Sequence, residues 1–362
     1  MKKSVSLFIS ACILFVTLST LVTLFSFSWE TEKSLTENLE TAVSQSVPFR
    51  EKISALLIRI RYLSGVRTFD GIYIGSDGSL LREVEKPTSR VTSVTKNNVS
   101  RFAEKKPGDT YFTLIPTSIV IRQQSIASYA ADGLYNQRHY INSLYSDLDD
   151  SVSTVDIYQS LFSRRLEYIY YHTEDLPTSL GGYYIYEELA SRMGLKAKPT
   201  LSFSTAYVAH GFTGSLATEA FLGYAEPDFL TFYEDVSEKQ TVTITHADPS
   251  GNETEQSGLY LYDPNLVFDK TDLILGGLSA VTTIKNEKNE DNSLLVFCDE
   301  TAKSWLPFLA GHYGTIVAVD LNEASDEQLS ALSTGDYSQV LFAYGFRDFS
   351  EGIDFSRLEL IQ

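Results

Sequence analysis

The stretch LLVFCDETAKSWLPFLAGHYGTIVAVDL, from Leu294 to Leu321, decides the fold. Leu294 to Phe297 and Thr315 to Val319 are apolar throughout and lack the alternation of a half-wet strand. Each therefore reads as a strand buried on both faces of a parallel sheet. Between them, about 301–313 reads as a helix, which completes a strand–helix–strand unit. Similar apolar runs recur at Tyr111 to Ile115, Thr154 to Tyr158 and Val340 to Tyr344, with helical spacing over about 134–149, 179–194 and 325–332. This alternation predicts an α/β protein with a doubly wound parallel sheet, whose ligand crevice lies beyond the carboxyl ends of the strands. One stretch differs. Thr241 to His246 alternates strictly, Asp248 to Asn252 is a turn, and Gly258 to Tyr262 follows, so an antiparallel β-hairpin is expected as an insertion at about 229–263.

Toward the N-terminus, Gly71 to Gly78 is a short apolar stretch between turn residues, read as a strand and hairpin. Leu35, Leu39, Val43, Ile53, Leu56, Leu57 and Ile60 follow helical spacing, interrupted at Val47-Pro48. Before them, Ser4 to Ser28 carries no charge. That run is long enough to cross a bilayer, which takes about 20 residues. Lys2 and Lys3 before it, and Glu30 and Glu32 after it, place the N-terminus inside and the bulk of the chain outside the cytoplasm. A cleavable signal peptide is the rival reading, opposed by the length of the run and the lack of a small-residue cleavage site. The expected organisation is an anchor over 1–28, a helical stalk over 29–70 and an α/β domain over 71–362.

A hydrophobic fraction of 43% with 12% aromatics suits a packed globular body. A net charge of −18 repels phosphate backbones and excludes nucleic acid as a partner, favouring neutral or cationic ligands. Cys12 lies in the apolar N-terminal run, so Cys298 is the one thiol of the body and forms no disulfide within it. The spacings that hold zinc do not occur, and no cofactor or metal is expected.

Several segments, in order, resemble the DHHW family, bacterial surface proteins related to SGNH hydrolases and to alginate O-acetyltransferase-like proteins. Val47 to Arg50 resembles the family's segment after the anchor, and Asp70 to Gly78 its N-G-V-Y-x-G-x-D-G element. Tyr168 to Tyr184 resembles the Y-R-T-D-H-H-W-T-x-x-G-A-Y-Y signature, Leu275-Gly276-Gly277 the G-G-N block, and Leu294 to Leu321 the strand ending in G-D-S with its following helix and strand. The resemblance implies an SGNH-like fold. It also implies partners of two kinds: a membrane-bound O-acyltransferase and a cell-surface polysaccharide.

The resemblance fails at the reacting groups. The family's nucleophilic serine would follow Cys298-Asp299, where this chain has Glu300 and then Thr301. The signature's acid and histidines fall on Glu174, Asp175 and Leu176, and the asparagine after Gly276-Gly277 falls on Leu278. A leucine cannot move a proton for a hydroxyl. The expectation is a vestigial site or ligand crevice in a non-catalytic module. Its candidate residues are Cys298, Asp299, Glu300, Thr301, Glu174, Asp175, Leu176, Gly276, Gly277 and Leu278. Glu300 is expected to pair with a cation such as Lys303, or to face solvent, because two close carboxylates repel. The alternative is an active O-acetyltransferase or esterase with a relocated nucleophile drawn from Thr301, Ser304, Ser204 or Cys298. The plainer reading of Ser304 and Thr301 is local hydrogen bonding in a first helical turn. The tyrosines at 168, 170, 171, 183, 184 and 186 suit either core packing or a sugar ring.

Overall fold

In a computed structural model of the protein, residues 58–362 are described, apart from 70, 107–108, 221–224, 238–240, 264, 266–268 and 289–291. The expected anchor over 1–28, and all but the end of the helical run before residue 65, lie outside the described residues. Among those described, no helix is long and apolar enough to cross a membrane. Two compact units divide the chain. Residues 58–63 of the first are helical, and the second comprises residues 67–220 and 224–362.

In the second unit, which begins at Arg67, strand β1 (Thr68–Phe69) pairs with β2 (Ile72–Ile74), which pairs with β3 (Leu80–Arg82). The remaining strands are β4 (Thr110–Ile115), β5 (Val152–Thr154), β6 (Phe203–Phe212), β7 (Asp228–Asp235), β8 (Val242–Ala247), β9 (Glu253–Ser257), β10 (Val281–Asn286), β11 (Ser293–Cys298), β12 (Thr315–Val319) and β13 (Gln339–Gly345). The principal helices are α1 (Ser89–Ala103), α2 (Gln137–Asp147), α3 (Ser179–Arg192), α4 (Ala302–Leu309) and α5 (Phe346–Gly352). The central sheet runs β5-β4-β13-β11-β12-β10-β8-β9. Its first five strands are parallel, and the last three extend it antiparallel.

The unbroken apolar runs are explained by the two faces of this sheet. Along β11, Leu294, Val296 and Cys298 enter one hydrophobic cluster, while Leu295 and Phe297 enter the other. Side chains alternate across a strand, so both faces are covered. Tyr183, Tyr186 and Leu189 of α3 and Trp305, Leu306 and Leu309 of α4 pack on the first face. Val99 and Phe102 of α1, Ile141 and Leu144 of α2, and Phe346 and Phe349 of α5 pack on the second. The architecture is thus mixed α/β around a mostly parallel sheet.

Two expectations need correction. The expected strand over 154–158 is β5, ending at Thr154, because the Asp156 carboxylate accepts the Tyr158 amide at 3.0 Å and starts a helix there. The stretch 229–263 is not one inserted hairpin. β7 pairs with β6 in a separate sheet, and β8–β9 continues the central sheet by pairing β8 to β10.

Candidate functional site

Four parallel strands end at one edge of the sheet, and the residues just past them build two adjacent clefts. The larger, of about 250 Å³, is lined by Leu278, Cys298, Asp299, Glu300, Asp320 and Glu323, among others. The smaller, of about 20 Å³, holds Asp175, Leu176, Asp299, Thr301, Arg347 and Asp348 in its lining. Asp299 borders both. This is where a doubly wound sheet places its crevice.

Asp299 is fixed by the fold. Its Oδ1 accepts the Thr301 amide at 3.0 Å and the Thr301 hydroxyl, and its Oδ2 accepts the Gly345 amide at 2.5 Å. The carboxylate thus ties the end of β11 to the end of β13 and opens α4. Gly345 is needed for this, since a Cβ there would lie 2.9 Å from Thr301 Cγ2 and 3.2 Å from Asp299 Oδ2. Burial, and then the charge of Asp348, push the Asp299 carboxyl up to about 7. The Cys298 thiol is likewise held protonated by burial and by the neighbouring Asp299.

Glu300 follows Asp299, with its side chain 51% exposed and ion-paired to Lys303. The Lys303 side chain is only 3% exposed and also reaches Asp272 Oδ1 at 2.8 Å and Asp269 Oδ2 at 3.9 Å. Burial works against the ammonium charge. The carboxylates of Glu300, Asp272 and Asp269 outweigh it and raise the pKa. Glu300 therefore both pairs with a cation and faces solvent.

Glu174 turns elsewhere. Its Oε2 accepts the Ser215 amide at 2.7 Å, and its Oε1 accepts the Ser215 hydroxyl at 2.7 Å and the Asp175 amide at 3.0 Å. It lines neither cleft, and it caps the start of the helix Ser215–Glu219. Asp175 is buried and accepts the Ser118 hydroxyl at 3.3 Å through Oδ1. Its Oδ2 has no hydrogen-bond partner and faces Arg347 at 3.6 Å and Arg82 at 4.0 Å. Burial raises the Asp175 carboxyl, and Arg347 and Arg82 oppose that rise. Leu176 is a core residue.

Leu275, Gly276 and Gly277 have φ of 60°, 76° and 86°, a left-handed run that glycine makes cheap. This loop delivers Leu278 into the larger cleft, while the two glycines shape the turn and line neither cleft. The structure thus brings Leu278, Cys298, Asp299 and Glu300 together on one side and Asp175, Leu176, Asp299 and Thr301 on the other.

Chemically, the site offers carboxylates and a guanidinium and no imidazole. None of the five histidines lines either cleft. His312 bonds Tyr186 at 2.8 Å, and His246 Nδ1 meets Thr282 at 3.3 Å. The Ser304 hydroxyl donates to the Thr301 carbonyl at 2.8 Å, the local bond expected of a first-turn serine. Among the described residues, no group of three or more His, Cys, Asp or Glu side chains could hold a metal ion. Sequence reasoning missed Arg347 and Asp348. Their signal was their place, immediately past Gly345 at the carboxyl end of a parallel strand. It also missed Asp228, discussed below, which carries no local signal.

A family model described as "DHHW protein" matches residues 87–319. The chain belongs to the DHHW family. A DHHW family protein of Eubacterium siraeum superposes with a TM-score of 0.66 at 19% identity, covering 81% of this chain and 96% of that one. Bacillus cereus PatB1, solved with a sulfonyl adduct, superposes at 0.64 and 17% identity, covering 79% and 97%. At such identities the likeness shows the fold alone. A comparison with curated proteins finds no match. Within this DHHW protein, Leu176 lines the smaller cleft and Glu300 the larger, with Asp299 bordering both.

Proposed function

We propose that this DHHW protein is a non-catalytic, SGNH-like module of the cell surface, anchored through its N-terminal segment. In this reading its globular part lies outside the cytoplasm. There it assists polysaccharide O-acylation by holding a glycan or a membrane-bound O-acyltransferase. One observation supports the reading: Glu300, which the resemblance sets in the nucleophile's place, is ion-paired to Lys303, and Leu176, which it sets in the base's place, is buried. An acyl transfer of the triad type needs a hydroxyl and a base that can take its proton. Glu300 has no proton to give up as a nucleophilic alcohol, and Leu176 has no atom to receive one. Family membership supports descent from an O-acyltransferase or esterase scaffold.

One observation favours a second reading, an enzyme with a relocated nucleophile. The Thr301 hydroxyl donates to Asp299, a buried carboxylate that binds its proton unusually tightly, and both border the small cavity beside Arg347. Hydrolysis of p-nitrophenyl acetate by the full chain separates the two. The module should turn over no faster than its Thr301→Ala variant. Turnover abolished by Thr301→Ala would replace the first reading with the second. For the location, the chain should stay with membranes through an alkaline wash, and a soluble protein starting near residue 30 would refute the anchor.

A further inference from the structure

A third cleft lies away from the vacated positions. Its volume is about 290 Å³, and its lining includes Tyr168, Tyr171, Ser179, Thr205, Phe229 and Thr231. One wall is the signature segment from Tyr168 to the first turn of α3. The other is one face of the β6–β7 sheet, where Thr205 stands opposite Tyr233 and Phe229, Thr231 and Tyr233 alternate with the fully buried Leu230 and Phe232.

The chemistry of this cleft contrasts with the rest of the molecule. The chain carries −18, yet no charged side chain lines the cleft. Asp228, which accepts from the lining Tyr168, is 1% exposed and spent on the protein itself. Its Oδ1 accepts the Tyr168 hydroxyl and the His172 amide, each at 2.6 Å, and its Oδ2 accepts the Thr173 amide at 2.8 Å and hydroxyl at 2.5 Å. Those bonds lock the Tyr168 ring, which stacks on Phe229 with centroids 4.4 Å apart and meets Tyr171 edge-on at 6.1 Å. The aromatic surface is therefore ordered before any ligand arrives, so binding does not have to order it. Beside it stand the side chains of Thr205, Thr231 and Ser179.

We infer that this cleft binds a neutral pyranose ring of a glycan. Such a ring presents an apolar C–H face, which suits the Tyr168–Phe229 surface, and a rim of hydroxyls, which suits the threonine and serine side chains. The uncharged lining gives an anionic sugar no counter-charge, and the acidic body repels it. The inference deepens the reading of the chain as a surface module by assigning the glycan a place distinct from the vacated catalytic positions.

The test titrates the full chain, held in detergent, with chitotetraose and maltotetraose as neutral probes and tetragalacturonate as an anionic one. A neutral probe should bind, weakened about tenfold or more in Phe229→Ala and several-fold in Thr231→Val. Thr231→Val keeps the side-chain shape, so it separates lost hydrogen bonding from lost folding. Three results would overturn the inference: no neutral probe binding at millimolar concentration, equal binding by wild type and both variants, or tighter binding of the anionic probe. None of these touches the non-catalytic reading, which stands or falls on ester hydrolysis.

Discussion

Replacing Gly182 by alanine sets two physical effects against each other. Gly182 lies within α3, and helix propensity alone says that alanine there stabilises by about 1 kcal/mol. The tertiary structure says the opposite. A Cβ at position 182 would sit 1.9 Å from the Ser304 carbonyl oxygen, 2.3 Å from its carbonyl carbon and 2.9 Å from its Cβ. Ordinary contact begins at 3.4 Å, so 3.4 minus 1.9 leaves 1.5 Å by which α3 and α4 must part. The obstacle is main chain, and no rotamer change relieves it. Overpacking of this kind costs about 1–3 kcal/mol, with more when backbone must move. Taking the upper end and returning the propensity gain leaves a net loss of about 2 kcal/mol. For a domain this size that lowers Tm by about 3 °C. Urea or thermal unfolding of Gly182→Ala against wild type measures it, and Ser304→Gly in the same background should not rescue the loss. An unchanged or higher Tm would refute the argument. It would mean that α3 and α4 separate freely, and that the turn holding Asp299 and Thr301 is not braced by that contact.

Three further outcomes follow from the same geometry. Asp228→Ala strands four donors, three of them on the signature segment's own His172 and Thr173, and should cost about 3 kcal/mol or more in urea unfolding. Glu300→Gln should change stability by less than about 1 kcal/mol at pH 7, because Glu300 is half exposed and Lys303 keeps Asp272. A Tm several degrees higher would instead reveal strained acids. Asp299 has a folded pKa of about 7 against an ordinary 3.8, so its contribution to stability is fully present below 3.8 and is lost as pH rises through about 7. The stability difference between wild type and Asp299→Asn should therefore shrink between pH 4 and pH 7.5, and a difference that grows with pH would show that the hydrogen bonds from Thr301 and Gly345 outweigh burial.

The sequence by itself determined the parallel core and the candidate positions on it. A strand buried on both faces is mostly apolar along its length, so β4, β11, β12 and β13 were legible as runs. The helix α1 is legible too, through Thr88 as its cap and the spacing of Thr95, Val99 and Phe102. Only the tertiary structure decided the partners. Glu174 and Glu300 are the same residue type, yet one is drawn to Ser215 and the other to Lys303, since each carboxylate goes to the donor that packing puts within reach. The separation of β7 from the β8–β9 hairpin is also a pairing decision, made by β6 and β10 from distant parts of the chain. Asp228 is the clearest case. Its four donors lie more than 50 residues away, so nothing in its local sequence marks it as the clamp on the signature segment.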